Sequence, residues 1–299
     1  MAAPRQTSPP RHPIWAGLTL DRPRVMGVLN VTPDSFSDGG TVDPETAIAA
    51  GLAMRDDGAD IVDVGGESAR PGASPTPPDV ERARILPVIR GLTAAGVLVS
   101  VDTSHAETMA AALDAGASIV NDITALTHDP ASAAVVAARG CPVILMHMRG
   151  TPATMMALAR YDDILAEVTA ELHTRIEAAE RAGIRRDAIA IDPGFGFAKH
   201  PAHSLALLRG LSALTTLGFP IVAGVSRKSF IGAASGEAEP ARRFPGSIAA
   251  GLFALAQGAA VLRVHDVRGT KQAIRVWHAL SVTEPFSEDV GLPFRNAKD

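Results

Sequence analysis

The chain has 299 residues, of which 46% are hydrophobic, 20% charged and only 4% aromatic, and its formal net charge is −4. That length suits one barrel of about 250 residues better than two ordinary domains, and the composition excludes wholesale disorder. With 28 basic and 32 acidic residues there is no overall positive field, so nucleic acid is excluded as a partner, and a single cysteine excludes a disulfide framework or a thiolate metal cluster.

In chain order, residues 1–13 are rich in Pro, Ser and Arg, lack the apolar core of a secretion signal and are expected to form a flexible tail. The first apolar run is VMGVLN, Val25 to Asn30. Seven more follow, each introduced by a glycine: Gly58, Gly96, Gly116, Gly140, Gly183, Gly218 and Gly258. A glycine there suits a helix C-terminus, because it adopts the left-handed cap conformation without strain. The runs are almost wholly apolar rather than alternating, as expected of parallel strands covered on both faces.

Between the runs lie helical segments with start signals. Asp43 and Pro44 read as a cap and first-turn proline, Ser104 with Glu107 as a capping box, and Asp129 with Pro130 as a second cap like the first. A longer segment, Tyr161 to Ala182, is charged on one side and apolar on the other. Lys271 and Arg275 read as charges on the solvated face of the last helix. Residues 282–299 lose helical periodicity and are expected to form a second tail, leaving 14–281 as one domain.

Alternation of eight strands with helices predicts an α/β fold, a single (β/α)8 barrel with its active site at the C-terminal strand ends. An open doubly wound sheet is the alternative, but no GxGxxG follows the first strand. No apolar run reaches membrane-spanning length, so no membrane partner is expected, and cytoplasmic localisation is the expectation.

The predicted strand ends carry Asn30, Glu67, Asp102, Asn121 with Asp122, His147, Asp192, Ser226 to Lys228, and Arg263 with His265. One polar strand end is an ordinary loop feature; eight around one rim describe a polar mouth. Asp102, Asn121 and Asp192 suit a flat heterocycle that presents N–H groups. Arg70, Lys228, Arg263 and His265 supply positive charge for phosphate or carboxylate. Ser229 opens a helix whose first N–H groups can meet an anion. Asn30 offers a neutral oxygen to a hard cation such as Mg2+. The loops TPDSFSDGG and ESARPGASPTPP read as lids over the mouth. His147 reads as a hydrogen-bonded rim residue and Cys141 as an inert buried thiol.

These residues sit in an ordered series of motifs. NVTPDSFSDGG, GGESARPGA, VDTS, NDI, MHMRGTP, DPGFGFAK, SRKSFIG and RVHDV together resemble the dihydropteroate synthase family, from about Val25 to the last helix. The resemblance implies condensation of 6-hydroxymethyl-7,8-dihydropterin diphosphate with 4-aminobenzoate, giving 7,8-dihydropteroate and diphosphate for folate synthesis, by ionisation of the C–O bond before attack. It also implies roles. Asp192, helped by Asp102 and Asn121, holds the pterin, and Lys228 contacts the pterin and borders the aminobenzoate pocket. Arg263 and His265 bind the diphosphate, with Asn30 on Mg2+. Pro71, Phe197 and Ser229 line the aminobenzoate site. The family further implies a homodimer through barrel helices away from the loops.

Two positions depart from the commoner family pattern. Ala69 stands where Thr is usual, which removes a hydroxyl associated with the diphosphate end. Arg149 stands where Gln is frequent and is expected to add a cation near an anion site. A non-catalytic pterin-binding relative would keep Asp192 and Asn121 and lose loop or anion residues, of which only Ala69 is an instance. A corrinoid-linked methyltransferase would need a separate cobalamin module, for which this chain has no room.

Overall fold

Eight parallel strands form the centre of the computed structural model, which describes residues 13–32, 37–38, 41–70 and 72–281, the main chain alone at 37–38, 41–42 and 281. Both tails, Pro71 and most of the first loop lie outside the described residues. The strands are β1 (Arg24–Asn30), β2 (Ile61–Gly65), β3 (Val99–Asp102), β4 (Ile119–Asp122), β5 (Val143–Met146), β6 (Ile189–Asp192), β7 (Val222–Ala223) and β8 (Val261–Val264). They pair in the order β6-β5-β4-β3-β2-β1-β8-β7, and a parallel bridge from Ile191 to Ile221 closes the ring. The predicted (β/α)8 barrel is therefore the observed fold, and all eight apolar runs became its strands.

The helices are α1 (Pro44–Asp56), α2 (Pro78–Ala94), α3 (Ala106–Asp114), α4 (Ser132–Arg139), α5 (Ile164–Arg181), α6 (Pro201–Arg209), α7 (Ser229–Ser235), α8 (Phe244–Ala256) and α9 (Val267–Ser281). The seven expected cap glycines all have positive φ, from 60° to 107°. Asp43 caps α1 as expected, accepting hydrogen bonds from the N–H groups of Glu45 and Thr46. Val62, Val64, Val99, Val101, Val120 and Leu145 face outward and are covered by apolar side chains of the helices, among them Ile85, Leu92, Met109, Val136 and Leu172. Each such buried side chain contributes about 1.5–3 kcal/mol relative to exposure, which is why an Ala- and Val-rich chain with few aromatics holds this barrel.

Three expectations are corrected. Ser104 forms no capping box: its hydroxyl is buried and donates to Asp122 Oδ1 at 3.0 Å, while α3 starts after His105 and its Ala106 N–H is taken by Asp129 Oδ2 at 3.0 Å. Asp129 thus caps a neighbouring helix as well as its own turn, and α4 begins only at Ser132. Lys271 is not a solvated charge. Its Nζ lies 3.0 Å from Asp60 Oδ2, in a cluster with Arg22 and Arg24 near the N-terminal end of the barrel.

That end carries a feature the sequence did not signal. A hairpin, Ile14–Trp15 with Leu18–Thr19, places Trp15 against Met26, Ile61, Ile119, Ile144, Ala190, Val222 and Val261. Trp15 is 1% exposed and its indole N–H donates to the Ala188 carbonyl at 3.0 Å, so the barrel floor is sealed. No helix among the described residues is long and apolar enough to cross a membrane.

Candidate active site

Side chains alternate between barrel interior and helix layer along each strand. The residues packed on Trp15 mark the inward set at the floor. Two residues further along the same strands stand Val28, Asp63, Asn121, Met146, Asp192, Gly224 and Arg263. The interior therefore changes from apolar to polar in one step, and that step is where the expected site residues meet.

Asp63, fully buried on β2, organises the first half of the site. Its Oδ2 accepts from Arg263 Nε at 2.7 Å and from Asn121 Nδ2 at 2.9 Å, while Oδ1 has no hydrogen-bond partner. Arg263 Nη2 also donates to Asp102 Oδ2 at 2.6 Å. Because the Asn121 amide nitrogen is spent on Asp63, its oxygen is left for a ligand. Burial pushes the Asp102 carboxyl up to about 7 against the opposing charge of Arg263, with Asp63 adding to the rise. Burial opposes the charge on Arg263, but Asp63 and Asp102 more than offset it and hold the guanidinium ionised.

The second half is built on the loop after β6. Asp192 Oδ1 accepts the Gly194 N–H at 2.7 Å, and the Asp192 carbonyl accepts the His147 N–H at 2.9 Å. Gly194 has φ +69°, and a Cβ there would fall 2.0 Å from the His147 carbonyl oxygen, so no other residue fits. Burial raises the Asp192 carboxyl pKa, while the Gly194 N–H and the charges of Lys228 and Arg263 pull it down. Lys228 is aimed by Arg227, which adopts a left-handed φ of +60° and is held by Ser247 Oγ and Arg243. Its Nζ rests 4.1 Å from the Phe197 ring centroid, a cation–π contact. Burial and then Arg263 push the Lys228 ammonium down to about 8.

His265 is placed by Ser226, whose Oγ lies 3.1 Å from Nδ1 and accepts the His265 main-chain N–H. Burial first, then Arg227, Arg263, Lys228 and Arg70, push its pKa down to about 3, so it offers a ring N–H rather than the expected charge. Arg70 is exposed beside this group, and Ala69 is partly exposed. Ser229 is exposed at the start of α7, whose N-terminus carries no side-chain cap. Arg149 is a correction. It is not a cation free for an anion site, because it pairs with Glu167 and Glu171 and covers the Tyr161 ring.

Asn30 ends β1 with a carboxamide that has no hydrogen-bond partner among the described residues. A single neutral oxygen fits Mg2+, which usually keeps waters and phosphate oxygens as its other ligands. A second grouping, Glu67, Glu81 and His105, brings ligand atoms within 4.8 Å of one another. Most of its atoms are engaged: Glu81 Oε2 takes the Thr108 hydroxyl at 2.8 Å and lies 3.3 Å from His105 Nδ1, and Glu67 takes the Thr76 N–H at 2.8 Å, while Glu81 Oε1 has no hydrogen-bond partner among the described residues. That grouping ties the second loop to α2 and the end of β3.

Of the expected site residues, Asp102, Asn121 and Arg263 are joined through Asp63, and Asp192, Phe197 and Lys228 form the adjoining wall. Asp63 itself was missed; its signal was a lone carboxylate within an otherwise apolar run. Lys199, 1% exposed, was also passed over although its motif was recognised.

A model of the pterin binding enzyme family matches residues 26–265. The dihydropteroate synthase of Neisseria meningitidis serogroup B is 43% identical over 281 residues, covering 91% of this chain and 99% of that protein. The Xanthomonas albilineans dihydropteroate synthase solved with 4-aminobenzoic acid superposes with a TM-score of 0.85 at 49% identity, covering 90% of this chain and 97% of that one. The same enzyme solved with 7,8-dihydropteroate gives a TM-score of 0.82 at 47% identity, covering 89% and 97%. The order of motifs, the polar layer they build inside the barrel and these relatives agree: the chain belongs to the pterin-binding enzymes, as a member of the dihydropteroate synthases.

Proposed function

We propose that this barrel condenses 6-hydroxymethyl-7,8-dihydropterin diphosphate with 4-aminobenzoate, and that the interior polar layer performs the reaction in the following way. The observation that carries the residue roles is the acceptor-rich set Asp102, Asn121 and Asp192 facing the cations Arg263 and Lys228. The ligands of the Xanthomonas relative, 4-aminobenzoic acid and 7,8-dihydropteroate, support the choice of substrates.

The free oxygens of Asp192 and Asn121 accept the ring N–H and amino protons of the pterin, and Asp102 accepts from its other edge. Arg263, His265 and Arg70 face the diphosphate. The C–O bond breaks with its electron pair going to the diphosphate, and the carboxylates of Asp102 and Asp192 favour the pterin methylene cation that remains. The aniline nitrogen of 4-aminobenzoate then supplies the electron pair of the new C–N bond and loses a proton. No side-chain nucleophile is needed in this sequence. Phe197 and Lys228 form one wall of the aminobenzoate site, with Ser229 at its carboxylate end; Pro71, which the resemblance assigns to the same pocket, lies outside the described residues. Asn30 would hold Mg2+, which neutralises charge on the leaving diphosphate when bound. The domain comprises residues 14–281, and the protein pairs as a homodimer through barrel helices. Exposed apolar side chains on the adjoining α8 and α9, Phe253, Val276 and Leu280, support that face.

Calorimetry tests the reading of the site. 4-Aminobenzoate should bind appreciably only after the pterin diphosphate and Mg2+, because the bound diphosphate completes its pocket. Tight binding of 4-aminobenzoate to the free protein would overturn that scheme.

A further inference from the structure

Beside the site, and unused by the reaction, lies a line of three ionisable groups, Lys199 and His147 buried and Glu171 half-exposed. Lys199 Nζ lies 2.8 Å from His147 Nδ1, 3.0 Å from the Phe197 carbonyl and 3.4 Å from the His147 carbonyl. Three acceptors match the three donors of an ammonium group. With Lys199 charged, His147 Nδ1 accepts and the ring proton sits on Nε2, where it is donated to Glu171 Oε2 at 3.1 Å. Arg149 Nε in turn holds Glu171 Oε1 at 3.0 Å, at the edge of the solvent. The line runs from the surface of α5, past the C-terminal end of β5, to the main chain of Phe197.

That main chain needs an anchor. Within six residues the loop after β6 has left-handed φ at Gly194 (+69°), Gly196 (+78°) and Ala198 (+49°). Ala198 is not glycine, and its Cβ strains a left-handed backbone. Other hydrogen bonds fix Gly194, through Asp192 Oδ1, Gly196, through Ser204 Oγ, and the N–H of Phe197, which donates to the Gly194 carbonyl at 3.1 Å, and leave the Phe197 carbonyl side of the turn. Among the described residues, only Lys199 donates to the Phe197 carbonyl, on the same peptide unit as the strained Ala198. The Phe197 ring is the surface on which Lys228 rests. Carried along this path, the position of the buried ammonium sets the position of the ring.

We propose that Lys199, backed by His147 and Glu171, is a positioning residue that fixes Phe197 and with it the aminobenzoate half of the site. The proposal rests on the assignment of Phe197 to the aminobenzoate pocket. A merely structural lysine would affect both substrates alike or neither; a positioning residue for Phe197 separates them.

The test is steady-state kinetics on the full chain with both substrates, alongside thermal melting. Lys199→Met fills the same tunnel without a donor. It should raise KM for 4-aminobenzoate at least tenfold while changing that for the pterin diphosphate less than threefold. Glu171→Ala, at the half-exposed end, should fold normally and raise the aminobenzoate KM several-fold, because the His147 ring loses its orienting acceptor. If Lys199→Met does not fold, Glu171→Ala decides the matter alone. A lowered melting temperature with both KM values unchanged, or an equal rise in both, overturns the proposal. Phe197→Ala keeps the two claims apart. If it raises the aminobenzoate KM and neither other variant does, the relay is refuted and the pocket assignment stands; if it leaves that KM unchanged, the pocket assignment itself has failed.

Discussion

Replacing Asp192 by asparagine perturbs one oxygen. Oδ1 is held by the Gly194 N–H at 2.7 Å, and an asparagine oxygen keeps that bond. Oδ2 lies inside the barrel beside Gly224, 3.5 Å from where a Cβ on that glycine would stand, and it is the acceptor offered to the pterin. In Asp192→Asn an N–H group takes its place, so a charged-acceptor hydrogen bond is lost and two donors face each other. A hydrogen bond to a charged group contributes about 1.5–3 kcal/mol, and the donor clash brings the total to about 2–4 kcal/mol. In kcat/KM for the pterin diphosphate that is a fall of about thirtyfold to about a thousandfold. The melting temperature should hardly move, because the Gly194 hinge is kept. The assay is diphosphate release under limiting pterin diphosphate, with melting followed in parallel. Wild-type kcat/KM in Asp192→Asn would refute the reasoning, since no other carboxylate occupies the end of β6.

Three further outcomes are expected. Ala69→Thr should lower KM for the pterin diphosphate several-fold and leave that for 4-aminobenzoate nearly unchanged, by adding a hydroxyl at the diphosphate end; weaker pterin diphosphate binding would show that the second loop packs differently. The pH profile of kcat/KM for the pterin diphosphate should rise as Asp102, lifted to about 7, loses its proton, because a protonated carboxyl presents a donor to the donors of the pterin, and it should fall as Lys228, lowered to about 8, loses its charge. Asp102→Ala should remove the acidic limb, and a profile that keeps it would assign that limb elsewhere. Trp15→Ala should destabilise the fold by about 3–5 kcal/mol in denaturant unfolding, without changing either KM, since Trp15 seals the end of the barrel opposite the active site; changed KM values would mean that floor and mouth are coupled.

How far the sequence carried the reading depended on the physics of each feature. Strands covered on both faces need apolar runs, and parallel crossovers need helices that end cleanly, so Gly58, Gly116 or Gly258 followed by Val and Ile announced the barrel. Residues at strand ends, such as Asp102 and Asn121, were visible because polarity resumes there. Asp63 was not, because it stands inside its run and is tolerable there through Asn121 and Arg263, 58 and 200 residues away. The same distance effect misled the local signals. Ser104 has the spacing of a capping box, yet a buried carboxylate 18 residues on, Asp122, takes its hydroxyl. Arg149 looked free for an anion, and Lys271 looked solvated, because Glu171 and Asp60, their partners, are remote in sequence. The hairpin around Trp15 has strands of two residues each, too short for a periodic signal.

The central claim is that the polar layer inside this barrel turns over, rather than only binding a pterin. Purified full-length protein supplied with 6-hydroxymethyl-7,8-dihydropterin diphosphate, 4-aminobenzoate and Mg2+ tests it directly by quantifying both products. The account predicts 7,8-dihydropteroate and diphosphate in equal amounts, with neither formed when Mg2+ is chelated. A protein that binds the pterin diphosphate and releases no diphosphate, or releases it without forming dihydropteroate, would contradict it.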